Sequence, residues 1–200
     1  MRSDEGQAFP IYVAVVAGLL FLAFAYFAVG QAAFTRNSAQ TAADAAALAA
    51  AQEARDRLRE RWLEVILDPD QWDGPLQGKV DDEGAACLRA ADFAALNEAL
   101  LGRCELFDPS GFRVTVTTTG SEPRDATASA EAVIEPHCEF MAQEPSSEPT
   151  PTPTATDDAE EEEDGPIKGM VCDGDPWEID PEDPTTLPDA ADLFTVRLSE

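Results

Sequence analysis

Four cysteines, one histidine and several runs of carboxylates are the residues of this chain whose types could do chemistry. Cys87, Cys104, Cys138 and Cys172 are even in number and widely spaced, without the C-x-x-C pairing of a zinc site or a thioredoxin-like centre. Two disulfides are expected. Of the three connectivities open to four cysteines, the favoured one joins Cys87 to Cys104 and Cys138 to Cys172. Cys138 ends one alternating stretch and Cys172 precedes the return to the last one, so a bond there closes the polar segment between them. Cys87 and Cys104 can meet only if the chain between them folds back, because one straight helix would hold them about 25 Å apart.

His137 is the single histidine, so a Ser-His-Asp set would rest on it alone, and no nucleophile elbow is present. The runs "DDAEEEED" (157 to 164) and "DGDPWEIDPED" (173 to 183) depart from the EF-hand pattern: Trp177 occupies the fifth position of the second, and no glycine follows it. Both read as solvated acidic loops. No phosphate-cradling glycine loop occurs, and neither a catalytic site, a metal nor a cofactor is expected. The chain has 40 acidic against 13 basic residues and a net charge of -27. A nucleic-acid backbone would be repelled, which excludes nucleic acid as a partner.

These residues must be positioned by elements built around one long apolar stretch. Ile11 to Phe34 carries no charge and is long enough to cross a bilayer, and it is too long for the apolar core of a cleaved secretory signal, which runs roughly 7 to 15 residues. A retained transmembrane helix over 11–34 is expected, with 1–10 on the cytoplasmic side. Arg2 and Arg36 flank it on either side and leave orientation open. The cysteines decide it: an oxidising compartment places residues 35–200 outside the cytoplasm.

Directly after the anchor comes "QTAADAAALAAAQ", Gln40 to Gln52. Alanine is the best helix former, so a helix over 35–68 should continue the anchor as one rod. Ala47, Ala51, Ala54, Leu58, Trp62 and Val65 recur at helical spacing along one stripe. Its small, membrane-proximal half would admit the backbone of another rod, and its bulky distal half would meet a folded domain. Glu53 and Arg57, on the opposite side, suit an exposed ion pair.

The stretch from Asp4 to Gln52 resembles the N-terminal region of the TadE/TadG-like proteins that assist assembly of Flp (tight-adherence) pili. In that family a short glycine-containing start and a hydrophobic helix precede a "Q-x-A-A-D-A-A-A-L-A" segment, which Gln40, Ala42, Ala43, Asp44, Ala45, Ala46, Ala47, Leu48 and Ala49 match here. Gln40, Ala43, Asp44, Ala47, Leu48 and Ala51 are the motif and helix-packing residues it implies. Cleavage after Gly6, as in pilins, would put Ile11 where a glutamate belongs and Tyr12 where a tyrosine is common. The resemblance thus implies a membrane-retained accessory protein rather than a structural pilin.

Beyond the rod, residues 69–142 should form the first part of an extracytoplasmic α+β domain. Leu67 to Gly84 is rich in Asp, Gly and Pro and reads as loop. A second helix follows over Ala85 to Cys104, with Leu88, Ala91, Ala95, Leu96, Ala99 and Leu100 near one side and Gly102 to end it. "FRVTVTTT" and "TASAEAVIE" alternate as two strands joined through Gly120 and Pro123, and "LFTVRLSE" alternates at the C-terminus. Pro, Thr, Ser and Glu dominate 143–166, which should be a disordered acidic loop, with 167–200 a return segment and final strand. The expected fold is α+β: the anchor helix and a second helix against a small antiparallel sheet of about three strands.

The resulting expectation is a non-enzymatic, pseudopilin-like accessory protein, single-pass in the bacterial cell membrane, working in Flp/Tad pilus assembly or a related secretion system. The resemblance implies other TadE/TadG-like proteins, the pilin and the membrane platform as partners. The alternative is a membrane-anchored extracellular domain that binds a ligand or displays the acidic loop at the cell surface.

Overall fold

A computed structural model describes residues 8–119, 125–141 and 166–199. The first element, α1, is a single helix over Ala8–Glu64. Its 57 residues span about 85 Å. Side chains along its first half are exposed, and continuous burial of one face begins at Ala39. Anchor and alanine run therefore form one uninterrupted rod, ending at Glu64, slightly before the expected boundary.

The folded part is α+β, with two antiparallel sheets. A short 3-10 turn at Pro69–Gln71 and α2 (Asp73–Leu76) follow α1, so the stretch expected to be loop contains two helical turns. They exist because Trp72 needs a place in the core. Its ring meets Trp62 edge-on at 5.4 Å, and its indole N–H donates to the Val65 carbonyl at 3.0 Å.

The second helix, α3, spans only Gly84–Leu96 and buries Ala86, Ala90 and Ala94. The expected apolar side was mistaken: Leu88, Leu96 and Leu100 are exposed, at 72%, 77% and 64%. Leucine loses this position because α3 lies against the alanines of α1, where two backbones come close and only small side chains fit. The helix also stops earlier than Gly102. Asn97 returns its side-chain N–H to the Phe93 carbonyl, and Glu98 takes a left-handed φ of 55°. Ala99, Leu100 and Cys104 belong to a strand.

That strand is β1 (Ala99–Asp108), and it pairs with β2 (Gly111–Thr118), then β3 (Thr127–Pro136), then β7 (Phe194–Leu198). The three alternating segments are strands as expected, with Phe112, Val114, Val116, Ala132, Ile134 and Phe194 turned inward. The main sheet has four strands rather than three, because β1 was read as helix. α1 and α3 cover its inner face. The outer face is polar, with Arg113 paired to Glu131 at 2.6 Å and hydroxyl pairs Thr115–Ser129 and Thr117–Thr127.

A second sheet was not expected. It joins β4 (Cys138–Phe140), β5 (Ile167–Cys172) and β6 (Asp175–Ile179). β6 falls inside the stretch read as a solvated acidic loop. Asp173 and Gly174, with φ of 51° and 91°, form the two-residue turn between β5 and β6. Asp-Gly suits that left-handed geometry. Gly169 at φ 111° breaks the alternation of β5, and a Cβ there would stand 2.6 Å from the Met141 carbonyl oxygen. Near the C-terminus α4 (Ala190–Leu193) is closed by a capping box between Asp189 and Asp192. The 120–124 connection, including Gly120 and Pro123, and the acidic loop up to residue 165 lie outside the described residues, as do residues 1–7 of the expected cytoplasmic end.

Candidate membrane anchor and assembly surface

Phe9, Leu20, Phe24, Tyr26 and Phe34 all project from α1 without a neighbour from the folded domain to cover them. Among the described residues, α1 is the one helix long and apolar enough to cross a membrane. An apolar helix exposed all round belongs in a nonpolar medium, since each large side chain is worth roughly 1.5 to 3 kcal/mol out of water. A tight polar zone separates it from the core: Thr35, Arg36, Asn37 and Ser38 precede buried Ala39.

The alanine motif sits where the rod enters the domain. Ala43, Ala47 and Ala51 are fully buried, Leu48 is half-buried, and Gln40 lies exposed at the edge. The expectation that Ala47 and Ala51 admit a second rod is therefore corrected: this face is filled by the chain's own fold. Both halves of the stripe serve as cover, the small half against α3 and the sheet, and the bulky half, Leu58 and Trp62, against the distal core. The polar pair of the motif has its own role. The Gln40 side-chain amide donates to Asp44 Oδ1 at 2.7 Å and reaches the Ser129 carbonyl of β3 at 3.4 Å.

Both cysteine pairs lie at bonding distance. Cys87 of α3 meets Cys104 of β1 with Cα atoms 5.7 Å apart, after the reversal at Glu98 that their spacing demanded. Cys138 and Cys172 stand opposite each other in β4 and β5, with Cα atoms 4.0 Å apart. The first ties the sheet edge to the helix layer, and the second closes the small sheet.

His137 occupies the junction between the sheets. Its Nε2 lies 2.6 Å from the Thr195 hydroxyl on β7, and its Nδ1 lies 3.2 Å from Asp173 Oδ2 at the β5–β6 turn. Its backbone N–H donates to the Leu193 carbonyl, and its own carbonyl accepts from Asp173 N–H. A Thr-His-Asp chain is thus assembled from segments far apart in sequence, which one histidine in a linear reading could not reveal. Thr195 sits within a paired strand opposite Glu135, not on a strand-to-helix elbow. The chain of bonds works as a clip between sheets.

Beside it, Arg197 bonds the Glu135 carboxylate and holds that group below the usual glutamate range, assisted by the positive charge of the guanidinium. Asp183 is likewise lowered, by the Thr185 hydroxyl at 2.7 Å and the Thr185 backbone N–H at 2.9 Å. Among the described residues no group of three His, Cys, Asp or Glu side chains converges to hold a metal ion.

Sequence reasoning also missed Glu83, whose carboxylate accepts the Leu106 N–H of edge strand β1, and Arg59, which donates to the Pro188 carbonyl at 2.8 Å. The expected exposed pair, Glu53 and Arg57, stands at 3.0 Å. Only the Asp173-Gly174 turn had a readable local signal.

The geometry defines a class: an α+β domain held on a continuous apolar helix, with its small-residue face turned inward. Residues 6–53 match the family model described as putative Flp pilus-assembly TadE/G-like. This is the segment that carries the sequence resemblance, and it takes in the exposed apolar helix and the alanine motif together. Neither a curated protein nor a solved structure matches the chain.

Proposed function

We propose that this is a non-enzymatic, pseudopilin-like accessory protein of an Flp/Tad-type pilus machine, held by α1 in the bacterial membrane with its domain on the extracytoplasmic side. The observation that carries the reading is the family match over 6–53, which covers the exposed apolar helix and the alanine motif together. Two cysteine pairs at bonding distance support an oxidising environment for the domain. The partners in this reading are other TadE/TadG-like proteins, the pilin and the membrane platform of the machine.

With Ala47 and Ala51 buried, such partners would meet the exposed helix within the membrane or the outer surfaces of the domain. Cross-linking in intact cells, then purification of the detergent-solubilised complex and mass spectrometry, tests the assignment. Recovery of pilus-machine components supports it. Their absence, with a soluble ligand retained instead, would favour a surface display or ligand-binding domain.

A further inference from the structure

We propose that the end of the folded domain nearest the anchor rests on the bilayer, with Leu96 and Leu100 seated in the lipid interface. The inference builds on the reading of α1 as a membrane span, and it follows from how the domain is hung on that helix. Two contacts fix the alignment. Gln40 touches the Ser129 carbonyl of β3, and Arg59 bonds the Pro188 carbonyl just before α4. From Gln40 to Arg59 the helix rises about 28 Å.

From Ser129 the strand climbs about 23 Å to Pro136, which pairs with Phe194, and α4 adds about 6 Å more toward Pro188. The two paths agree, so β3 runs beside α1 in the same direction, away from the apolar segment. Descending from Ser129 then leads toward the anchor.

Thr127 lies two residues below Ser129 and pairs with Thr117, which pairs in turn with Leu100. That row is about 7 Å nearer the anchor than Gln40, which is the level of Arg36 on α1. Below it, the Glu98 carbonyl accepts the Thr119 N–H, and Leu96 lies across the turn that Glu98 forms. These rows form the rim of the domain on the side of the apolar segment, whose last large side chain is Phe34. Leu96 and Leu100 are 77% and 64% exposed there, one at the end of α3 and one on the outer face of β1.

Among the described residues no side chain covers them, and the apolar segment that ends at Phe34 leaves the domain on this side. Leu88 is equally bare but stands about 12 Å farther up α3, and Leu67 lies beyond the far end of α1. Neither would reach lipid. Glu98 in the same rim, with a net charge of -27, favours a zwitterionic over an anionic surface.

The test uses the full chain reconstituted into phosphatidylcholine vesicles whose acyl chains are brominated either near the headgroup or near the chain end. Tryptophan is introduced singly by Leu96→Trp, Leu100→Trp, Leu88→Trp, Leu67→Trp and Phe24→Trp, and its quenching is compared with unbrominated vesicles. The added emission should be lost to the deep bromines for position 24 and to the headgroup-proximal bromines for 96 and 100, and retained in both for 88 and 67. Quenching at 24 without quenching at 96 and 100 would overturn the inference while leaving the span intact; no quenching at 24 would overturn the span itself.

Protection of 96 and 100 from an aqueous quencher without loss to bromolipid would indicate a protein partner at this rim and also overturn the inference. Should Leu100→Trp fail to fold, judged by thermal melting, Leu96→Trp alone decides, its side chain being the more exposed of the two.

Discussion

Nε2 of His137 lies 2.6 Å from the hydroxyl of Thr195, a residue 58 positions later in the chain. With Asp173 on the other ring nitrogen, this makes one side chain the polar link between a four-stranded and a three-stranded sheet. His137→Ala should cost about 1 to 2 kcal/mol, most of it from the half-buried Thr195 arm, since Asp173 is largely exposed. A double-mutant cycle with Thr195→Val, read by denaturant unfolding, measures the coupling. A coupling near zero would remove the clip.

Opening the small sheet should be costlier. Cys138→Ser with Cys172→Ser removes the bond that closes the 34-residue separation and should destabilise the domain by roughly 2 to 5 kcal/mol. Peptide mapping under non-reducing conditions checks the pairing, and thermal melting checks the cost. Cys87 found linked to Cys138 or Cys172 would refute both.

Ala47→Leu puts three extra carbons into a fully buried site between α1 and its own domain. Overpacking there should lower stability by about 1 to 3 kcal/mol, and Ala51→Leu should behave alike. Thermal melting of the detergent-solubilised variants decides. Unchanged melting together with lost partner association would instead mean that this face opens to another chain.

Two exposed carboxylates should shape the acid limb of stability. The folded-state values of Glu135 and Asp183 are lowered by Arg197 and Thr185, so each contributes stability above its unfolded value. That contribution is lost as pH falls through the folded value, below the ordinary 4.5 of glutamate and 3.8 of aspartate. Glu135→Gln should flatten part of this acid dependence and leave stability near pH 7 slightly reduced. Unfolding midpoints measured across the acid range report it, and an unchanged slope would count against the Arg197 contact.

Local patterns determined the rod and the alternating strands, because each is written in neighbouring residues. An uncharged run from Ile11 to Phe34, a following alanine run and the alternation in "FRVTVTTT" specify helix and strand whatever surrounds them. The disulfides were legible because few cysteines leave few connectivities. What tertiary structure alone decided was which surface meets which. Alanine is equally able to face another chain or its own domain, so only the assembled core assigned Ala47 and Ala51 to the interior.

Leu88, Leu96 and Leu100 looked like a buried side because leucine usually is one, yet the closeness of α1 and α3 reserved that side for Ala86, Ala90 and Ala94. β4, β5 and β6 escaped notice since each is short and Gly169 interrupts the alternation, though Asp173-Gly174 marked their turn. The contact of His137 with Thr195 and Asp173 had no sequence signal at all: it forms between residues brought together by strand order, and strand order is settled by burial over the whole chain rather than by any local pattern.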